Sequence, residues 1–432
     1  MLSKLKDLKR ATAKIRNKKN SEAVEYVVAL DIGTEYVKAL IAKINDDNLE
    51  IVGVGRQHQE LSDMQAGAVA DIAGVVRNCD SALNEAEEQA GVSVRTAVIG
   101  IAGELVKGTT TTVRCKRKTS TKVLDETEVE HIIGLVQDRA QTRAKQQLAS
   151  ELGGKDVEIR LINSALVRID IDGYQVTNPV GFQGKEVVVQ LYTAFAPLIH
   201  IGALEKVAQE LDLDLLAVAA EPFAVARSVI GNDPNASMSA ILMDVGGGTT
   251  DIAVMNDGGV QGTKMFGIGG RAFTRSIERS TGVSFKRAEE LKLSFSQDKL
   301  PPSKTPVVKQ PLEKTLDVWI SGVELALSEF TDQDHLPYQV LLCGGGSSLG
   351  LLMDRLSQSS WYNDLPFTRR PVVKHIQPEE VVGVTDKTTD IIDHTFITAM
   401  GLLRVGLDTL QVQDPKRNPG TVREKLDRML KI

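Results

Sequence analysis

Apolar runs along the chain are short, and each ends in a polar turn; in two places the same arrangement recurs. The run Tyr26-Val27-Val28-Ala29-Leu30-Asp31-Ile32-Gly33 predicts a buried strand closing in a tight turn. Val37 to Ile44 and Leu49 to Gly55 predict two further strands, which makes a β-meander. The second copy begins at Ala240-Ile241-Leu242-Met243-Asp244-Val245-Gly246-Gly247-Gly248-Thr249-Thr250-Asp251. Its returning strands lie at Ile252–Met255 and Val260–Met265. The stretches 27–55 and 240–266 read as one supersecondary unit used twice, the most informative fact about the organisation of the chain.

The pattern between and beyond these units predicts the remaining elements. Asp71 to Ala90 is helical and Gly91 ends it; Val94 to Ile101 is a strand. Residues 103–200 change texture. A β-branched strand at Thr109–Arg117, a helix capped by Asp125 and running to about Leu148, and strands at Ile159–Ile171 and Glu186–Ala196 suggest a small inserted α+β module. Helices follow at Leu198–Leu211 and from Pro222. Residues 270–335 are mostly helical, with a polar, proline-containing break at 296–311. Val340–Cys343 is a short strand before Gly344-Gly345-Gly346-Ser347-Ser348, and a helical run covers Leu349–Leu356.

These turns carry candidate chemistry. A strand ending in Asp-x-Gly and turning straight back sets backbone N–H groups around a small anion, and glycine lets phosphate approach closely. The aspartate at the strand end suits Mg²⁺, directly or through its waters. One such loop is weak evidence, because most glycine hairpins are simply turns. Two after apolar strands suggest a phosphate chain held between two lobes. The Gly344–Gly346 loop, leading into a helix N-terminus, suits a flat ring or a further phosphate.

Composition allows a large core: 432 residues, 42% of them hydrophobic but only 4% aromatic, so aliphatic side chains must do most of the packing. Cys79, Cys115 and Cys343 are far apart and odd in number, which supports neither a disulfide framework nor a zinc site and suits a reducing cytoplasm. No run of eighteen apolar residues occurs, and the N-terminus lacks the apolar stretch of a signal peptide. The net charge of −6 is unevenly spread. Residues 1–19 carry eight basic side chains against Asp7, or +7, which leaves −13 for the rest. A basic tail on an acidic body points to an anionic surface. Those residues include no aromatic to stack on bases, which favours a membrane over nucleic acid.

The two phosphate loops, the later glycine loop and their spacing resemble the actin superfamily, and within it the bacterial cell-division protein FtsA family, over roughly residues 26–408. Further stretches are similar to family motifs: Asp71-Ile72 with Ala86 to Gly91, Asn178-Pro179-Val180-Gly181-Phe182-Gln183-Gly184, Glu221-Pro222, Gly269-Gly270-Arg271-Ala272-Phe273-Thr274, and Ala288-Glu289-Glu290-Leu291-Lys292. The resemblance implies an α/β, two-lobed actin-like fold with duplicated β-meander cores, nucleotide in the interlobe cleft and an inserted subdomain of FtsA type. The implied boundaries are a basic segment at 1–22, lobe I at 23–102, 199–238 and 377–410, and the insertion at 103–198. Lobe II takes 239–270 and 336–376 with a helical subdomain at 271–335, followed by a linker at 411–420 and an amphipathic segment at 421–432.

The implied cofactors are ATP and Mg²⁺. Asp31 and Asp244 would hold the metal through water. Gly33, Thr34, Gly246, Gly247, Gly248, Thr249 and Thr250 would cradle the phosphates, with Glu35, Tyr36 and Lys38 in the first loop and Gly269 and Gly270 beside the second. Glu289 and Lys292 would reach the nucleoside, with Gly344, Gly345, Gly346 and Ser347 on its other side; Glu221 or Asp251 would stand nearest an attacking water. Glu35 and Tyr36 depart from the Thr and Lys usual in the family's first loop, and a carboxylate beside phosphate is repulsive unless it turns away.

The resemblance also implies self-association into filaments, a tubulin-like division protein as partner, and a place on the cytoplasmic face of the membrane at the division septum. Val422, Leu426, Met429 and Leu430 share one helical face in the last segment, the pattern of a membrane-surface helix, and residues 1–20 offer a second weak contact. Three other readings share the core: a type IV pilus assembly adaptor, a small-molecule kinase, and a pseudo-ATPase scaffold that binds nucleotide without hydrolysing it.

Overall fold

The computed structural model describes residues 25–103, 106–230, 237–331, 333–358 and 360–413. The segments 1–22 and 421–432, and all but the first residues of the expected linker 411–420, lie outside them.

The strands in chain order are β1 (Tyr26–Ile32), β2 (Tyr36–Asn45), β3 (Asn48–His58), β4 (Met64–Gln65), β5 (Ala68–Val69), β6 (Thr96–Ile101), β7 (Lys107–Lys116), β8 (Ile159–Ile171), β9 (Tyr174–Gln175), β10 (Glu186–Pro197), β11 (Asp214–Ala220), β12 (Ala240–Val245), β13 (Thr250–Asn256), β14 (Gly259–Phe266), β15 (Gln339–Cys343), β16 (Val372–His375) and β17 (Val384–Asp386). The helices are α1 (Ile72–Ala90), α2 (Glu126–Glu151), α3 (Leu198–Glu210), α4 (Glu221–Ile230), α5 (Gly270–Thr281), α6 (Phe285–Ser296), α7 (Thr305–Ser328), α8 (Gly350–Gln358) and α9 (Ile397–Gln413).

The duplication is visible in the pairing. In lobe I, β1, β2 and β3 form an antiparallel meander, and β6 and then β11 add in parallel beside β1. In lobe II, β12, β13 and β14 repeat the meander, and β15 and then β16 add in parallel beside β12. β1 and β12 are buried along nearly their whole length, as expected for strands covered on both faces. Both aspartates therefore end a buried strand, and both glycine turns open at the same end of their sheets.

The inserted module is less independent than its sequence suggests. Its strands β7, β10 and β8 have their own core under α2, formed by Leu124, Val129, Ile132, Ile133, Val136 and their neighbours. Yet β7 pairs with β14 at Gly262–Thr109 and Thr263–Gly108, so the insertion continues the lobe II sheet to nine strands. The Thr110 hydroxyl donates to the Val260 carbonyl at 2.8 Å across the same seam. The equivalent edge of lobe I, at β3, is covered by β17 instead.

Other differences have local causes. The expected break at 296–311 narrows to the residues between α6 and α7. Pro306 sits in the first turn of α7, where its missing N–H is no loss. Pro311 lies inside the helix, and its carbonyl accepts from the hydroxyls of Ser276 and Thr315. The sequence pattern does not predict β11, β16, β17 and α9, because their runs are short, or apolar without a clear period. α9 also carries helix through Gln413, into the stretch expected to be linker.

α4 and α9 pack together between the two sheets. Gly401 makes that possible: a β-carbon there would run into the Ala224 carbonyl of α4. At their far ends Arg227 is ion-paired with Asp408. Gly401→Val is expected to lower stability by about 2–4 kcal/mol through overpacking at a rigid backbone contact. Chemical denaturation checks this, and a change below about 0.5 kcal/mol would contradict the packing described.

Candidate functional site

Three glycine turns converge on the cleft between the lobes, around a cavity of about 480 Å³. Its walls include Asp31, Gly33, Thr34, Glu35, Tyr36 and Lys38 from lobe I. From lobe II come Asp244, Gly246, Gly247, Thr249, Asp251, Gly270, Glu289, Lys292 and Gly344–Gly346. Glu221, at the start of α4, forms part of the floor.

The turns interlock by close backbone approach. Gly344 has φ +80°, and a β-carbon there would collide with the Asp244 carboxylate and meet the Val245 carbonyl at 2.6 Å. A β-carbon on Gly248 would stand 2.7 Å from the Thr34 hydroxyl oxygen. The third loop thus rests on the second, and the second on the first, so glycine keeps the three backbones near one line.

Four acids are buried here: Asp31, Asp244, Asp251 and Glu221. Lys38 Nζ donates to Asp31 at 2.8 Å. Burial opposes the Lys38 charge, but Asp31 and Asp244 outweigh it and raise its pKa. The Thr398 hydroxyl donates to Asp244, and Thr249 donates to Asp251 at 3.0 Å. Burial raises the pKa of all three remaining carboxyls. Asp251 is lifted to about 8 by burial and by the nearby Asp244 charge. Glu221 is raised well above the usual carboxyl range by burial and by Asp31, Asp251 and Asp244. Asp244 is raised by burial, with Thr398 and Lys38 acting against that.

A divalent cation fits this set only at one remove. Among the described residues no three His, Cys, Asp or Glu side chains are arranged to grip a metal directly. A surplus of buried carboxylate around one ammonium suits a hydrated Mg²⁺ that keeps its waters and adds phosphate ligands.

Glu35 does turn away from the cavity floor. Its Oε1 lies 2.8 Å from His58 Nε2, and its Oε2 accepts from Arg271 Nε at 2.6 Å, across the cleft. Burial alone would raise its pKa, but Arg271 and then His58 bring it below the ordinary value. Arg271 spends only part of its guanidinium on this pair. Its Nη2 is buried with no partner, which costs about 1–3 kcal/mol for an unmet interior donor. In the sequence Arg271 stands inside the Gly269–Thr274 stretch with no role of its own. An arginine at the mouth of a glycine loop, with an acid in the opposite loop, was the available signal.

The chain matches the model of the family described as cell division protein FtsA over residues 241–401. It is 24% identical to Cell division protein FtsA of Pseudomonas aeruginosa over 405 residues, which covers 88% of this chain and 89% of that protein. The Neisseria meningitidis protein of the same name is 25% identical over 426 residues, with coverage of 93% and 94%. Over most of its length the chain is thus similar to proteins named cell division protein FtsA, at 24–25% identity. The solved PilM–PilN type IV pilus biogenesis complex superposes with TM-score 0.64 at 17% identity, covering 89% of this chain and 99% of that one, and shows the same fold.

Most of the expected site residues line the cavity; a few do not. Thr250 is fully buried, donates to the Ile268 carbonyl and accepts from Trp319 Nε1 at 2.9 Å, so its hydroxyl belongs to the lobe II core. Ser347 is likewise buried and donates to the Gly344 carbonyl. Gly269 caps α5 behind the second loop, where a β-carbon would meet the Gly246 carbonyl at 2.6 Å. Alternation along β13 turns Thr250 away from the cleft, a register that glycine spacing alone does not fix. Lys292 donates to the Gly270 carbonyl at 3.1 Å and pairs with Glu289 at 2.9 Å, which ties α6 to α5 at the edge of the cleft.

The raised Asp251 pKa sets a pH dependence. The fold prefers its neutral form, so this contribution is full below about pH 4 and is lost as pH rises to about 8. Asp251→Asn should therefore melt several degrees above the wild type at pH 8, a gap on the order of 2 kcal/mol, and approach it near pH 4. Melting curves across that range that stay parallel would contradict a neutral, buried Asp251.

Proposed function

We propose that this protein binds ATP with Mg²⁺ in the interlobe cleft, and ADP after it, and works as an FtsA-type scaffold that self-associates at a membrane. The observation that carries this is the convergence of three glycine turns, two from the duplicated meanders, on one cavity floored by buried acids. Asp31 and Asp244 would hold hydrated Mg²⁺, which supplies positive charge against the phosphates. Gly33, Thr34, Lys38, Gly246, Gly247, Gly248 and Thr249 would receive the phosphates, and Glu289, Lys292 and Gly344–Gly346 the nucleoside. Glu221 and Asp251 are the carboxyls placed to orient a water; the near-neutral pKa of Asp251 suits a proton acceptor that is only partly ionised at pH 7.

Likeness to proteins named cell division protein FtsA supports a division role; the motif resemblance adds a tubulin-like partner, head-to-tail filaments and a place at the septum as parts of the proposal. A head-to-tail contact is heterologous and propagates without closing. Among the described residues no helix is long and apolar enough to cross a membrane, so attachment would fall to the basic segment 1–20 and the amphipathic segment 421–432. Both body ends lead to one corner: Glu25 accepts through its carbonyl from Ile44 N, and Gln411 donates to Asp47 at 2.9 Å, either side of the β2–β3 turn. The structural likeness to a pilus complex carries the fold and no more.

Two measurements test this. Titration calorimetry with MgATP is expected to give saturable binding that Lys38→Ala weakens at least tenfold; unchanged binding in that variant counts against the site. Co-sedimentation with anionic liposomes is expected for the full chain and to fall for chains lacking 1–20 or 421–432. Full sedimentation of both truncated chains would remove the membrane part of the reading.

A further inference from the structure

We infer that Arg271 is the residue by which this cleft distinguishes a nucleoside triphosphate from a diphosphate, with Glu35 as its positioning partner. The inference rests on the nucleotide-binding reading and goes beyond it.

Arg271 is the second residue of α5, and its backbone is fastened to the second glycine turn. Gly270 N donates to the Gly246 carbonyl at 2.9 Å and Arg271 N to the Gly247 carbonyl at 2.8 Å. The side chain is nine-tenths buried and crosses to lobe I, where Nε donates to Glu35. Both Glu35 oxygens are then engaged, one by Arg271 and one by His58. Nη2 remains buried without an acceptor.

Three of the cavity carboxylates are already engaged: Asp31 by Lys38, Asp244 by Thr398 and Asp251 by Thr249. A buried guanidinium nitrogen needs an acceptor, and an anionic oxygen entering the cavity would supply one. The loop contacts indicate which oxygen. Gly346 abuts the Gly246 carbonyl, on the nucleoside side, with its β-carbon position 2.8 Å away. Gly247 abuts Glu35, its β-carbon position 2.9 Å from Glu35 Cβ. A phosphate chain that starts at the third loop therefore passes Gly246 first and ends beside Gly247, Glu35 and Arg271. A diphosphate would stop short of the free nitrogen. The acid that seemed hostile to phosphate thus aims the arginine that receives it.

The test is calorimetry of the full-length protein with MgATPγS and with MgADP. The wild type is expected to prefer the triphosphate at least tenfold. Arg271→Met should weaken MgATPγS about twentyfold or more and MgADP less than threefold. Arg271→Lys should fall between, since an ammonium lacks the planar fork. Glu35→Gln should narrow the triphosphate preference three- to tenfold without weakening MgADP, and the double variant should be no worse than Arg271→Met, because the two residues act as a unit. Equal losses for both nucleotides, or no change, in the two arginine variants would overturn the inference while leaving nucleotide binding intact. If the wild type binds neither nucleotide, the underlying reading falls and this inference with it. Arg271→Lys keeps the charge and the length, so it serves as the folding-safe variant if Arg271→Met does not yield a native melting transition.

Discussion

Asp31, Asp244, Asp251 and Glu221 are buried side by side at the junction of two lobes, with the Lys38 ammonium set among them. Like charges at that depth repel, and desolvation penalises each of them. The fold accommodates the set by keeping some of the carboxyls protonated, by tying others to hydroxyls, and by leaving a cavity in which a cation and phosphates can enter. Much of the surrounding structure serves that arrangement. The meanders deliver the aspartates, α4 delivers Glu221, and α9 delivers Thr398 to the back of Asp244.

The same constraint couples the lobes. Each carries one glycine turn, and the two turns meet through Thr34 with Gly248 and through Glu35 with Gly247. The Glu35–Arg271 pair spans the cleft at the same level, while α4 and α9 join the lobes behind it. A change in the charge held between the turns is therefore felt by both lobes at once. The insertion adds another link, since its strands extend the lobe II sheet although the chain enters it from lobe I. Relative motion of the lobes must pass through that seam as well as through the helices.

A large part of this was legible from residue order. The strand–Asp–Gly turn is a local signal: an apolar run of strand length must bury itself, and glycine and aspartate at its end mark the proposed place for phosphate and metal. That signal pointed to the duplicated core and the three turns, and Gly91 marked the end of α1, whose N-cap proved to be Asp71. It did not give the route of Thr250 into the core beside Trp319, because alternation along a strand decides facing only once a register exists. Nor did it give the seam of the insertion, β17 at the lobe I edge, or the use of Pro311 inside a helix.

Glu35 marks the boundary between the two kinds of knowledge. By itself the sequence determined that an acid stands in the first glycine turn, next to where the proposed ligand brings negative charge. Only the tertiary structure decided what that acid faces. Arg271 lies far along the chain, and its approach depends on the packing of α5 against the second turn and on the closeness of the two lobes. Local pattern fixes strands, turns and caps because those follow from neighbouring residues. A charge's partner follows from which surfaces the whole fold brings together, and no local pattern encodes that.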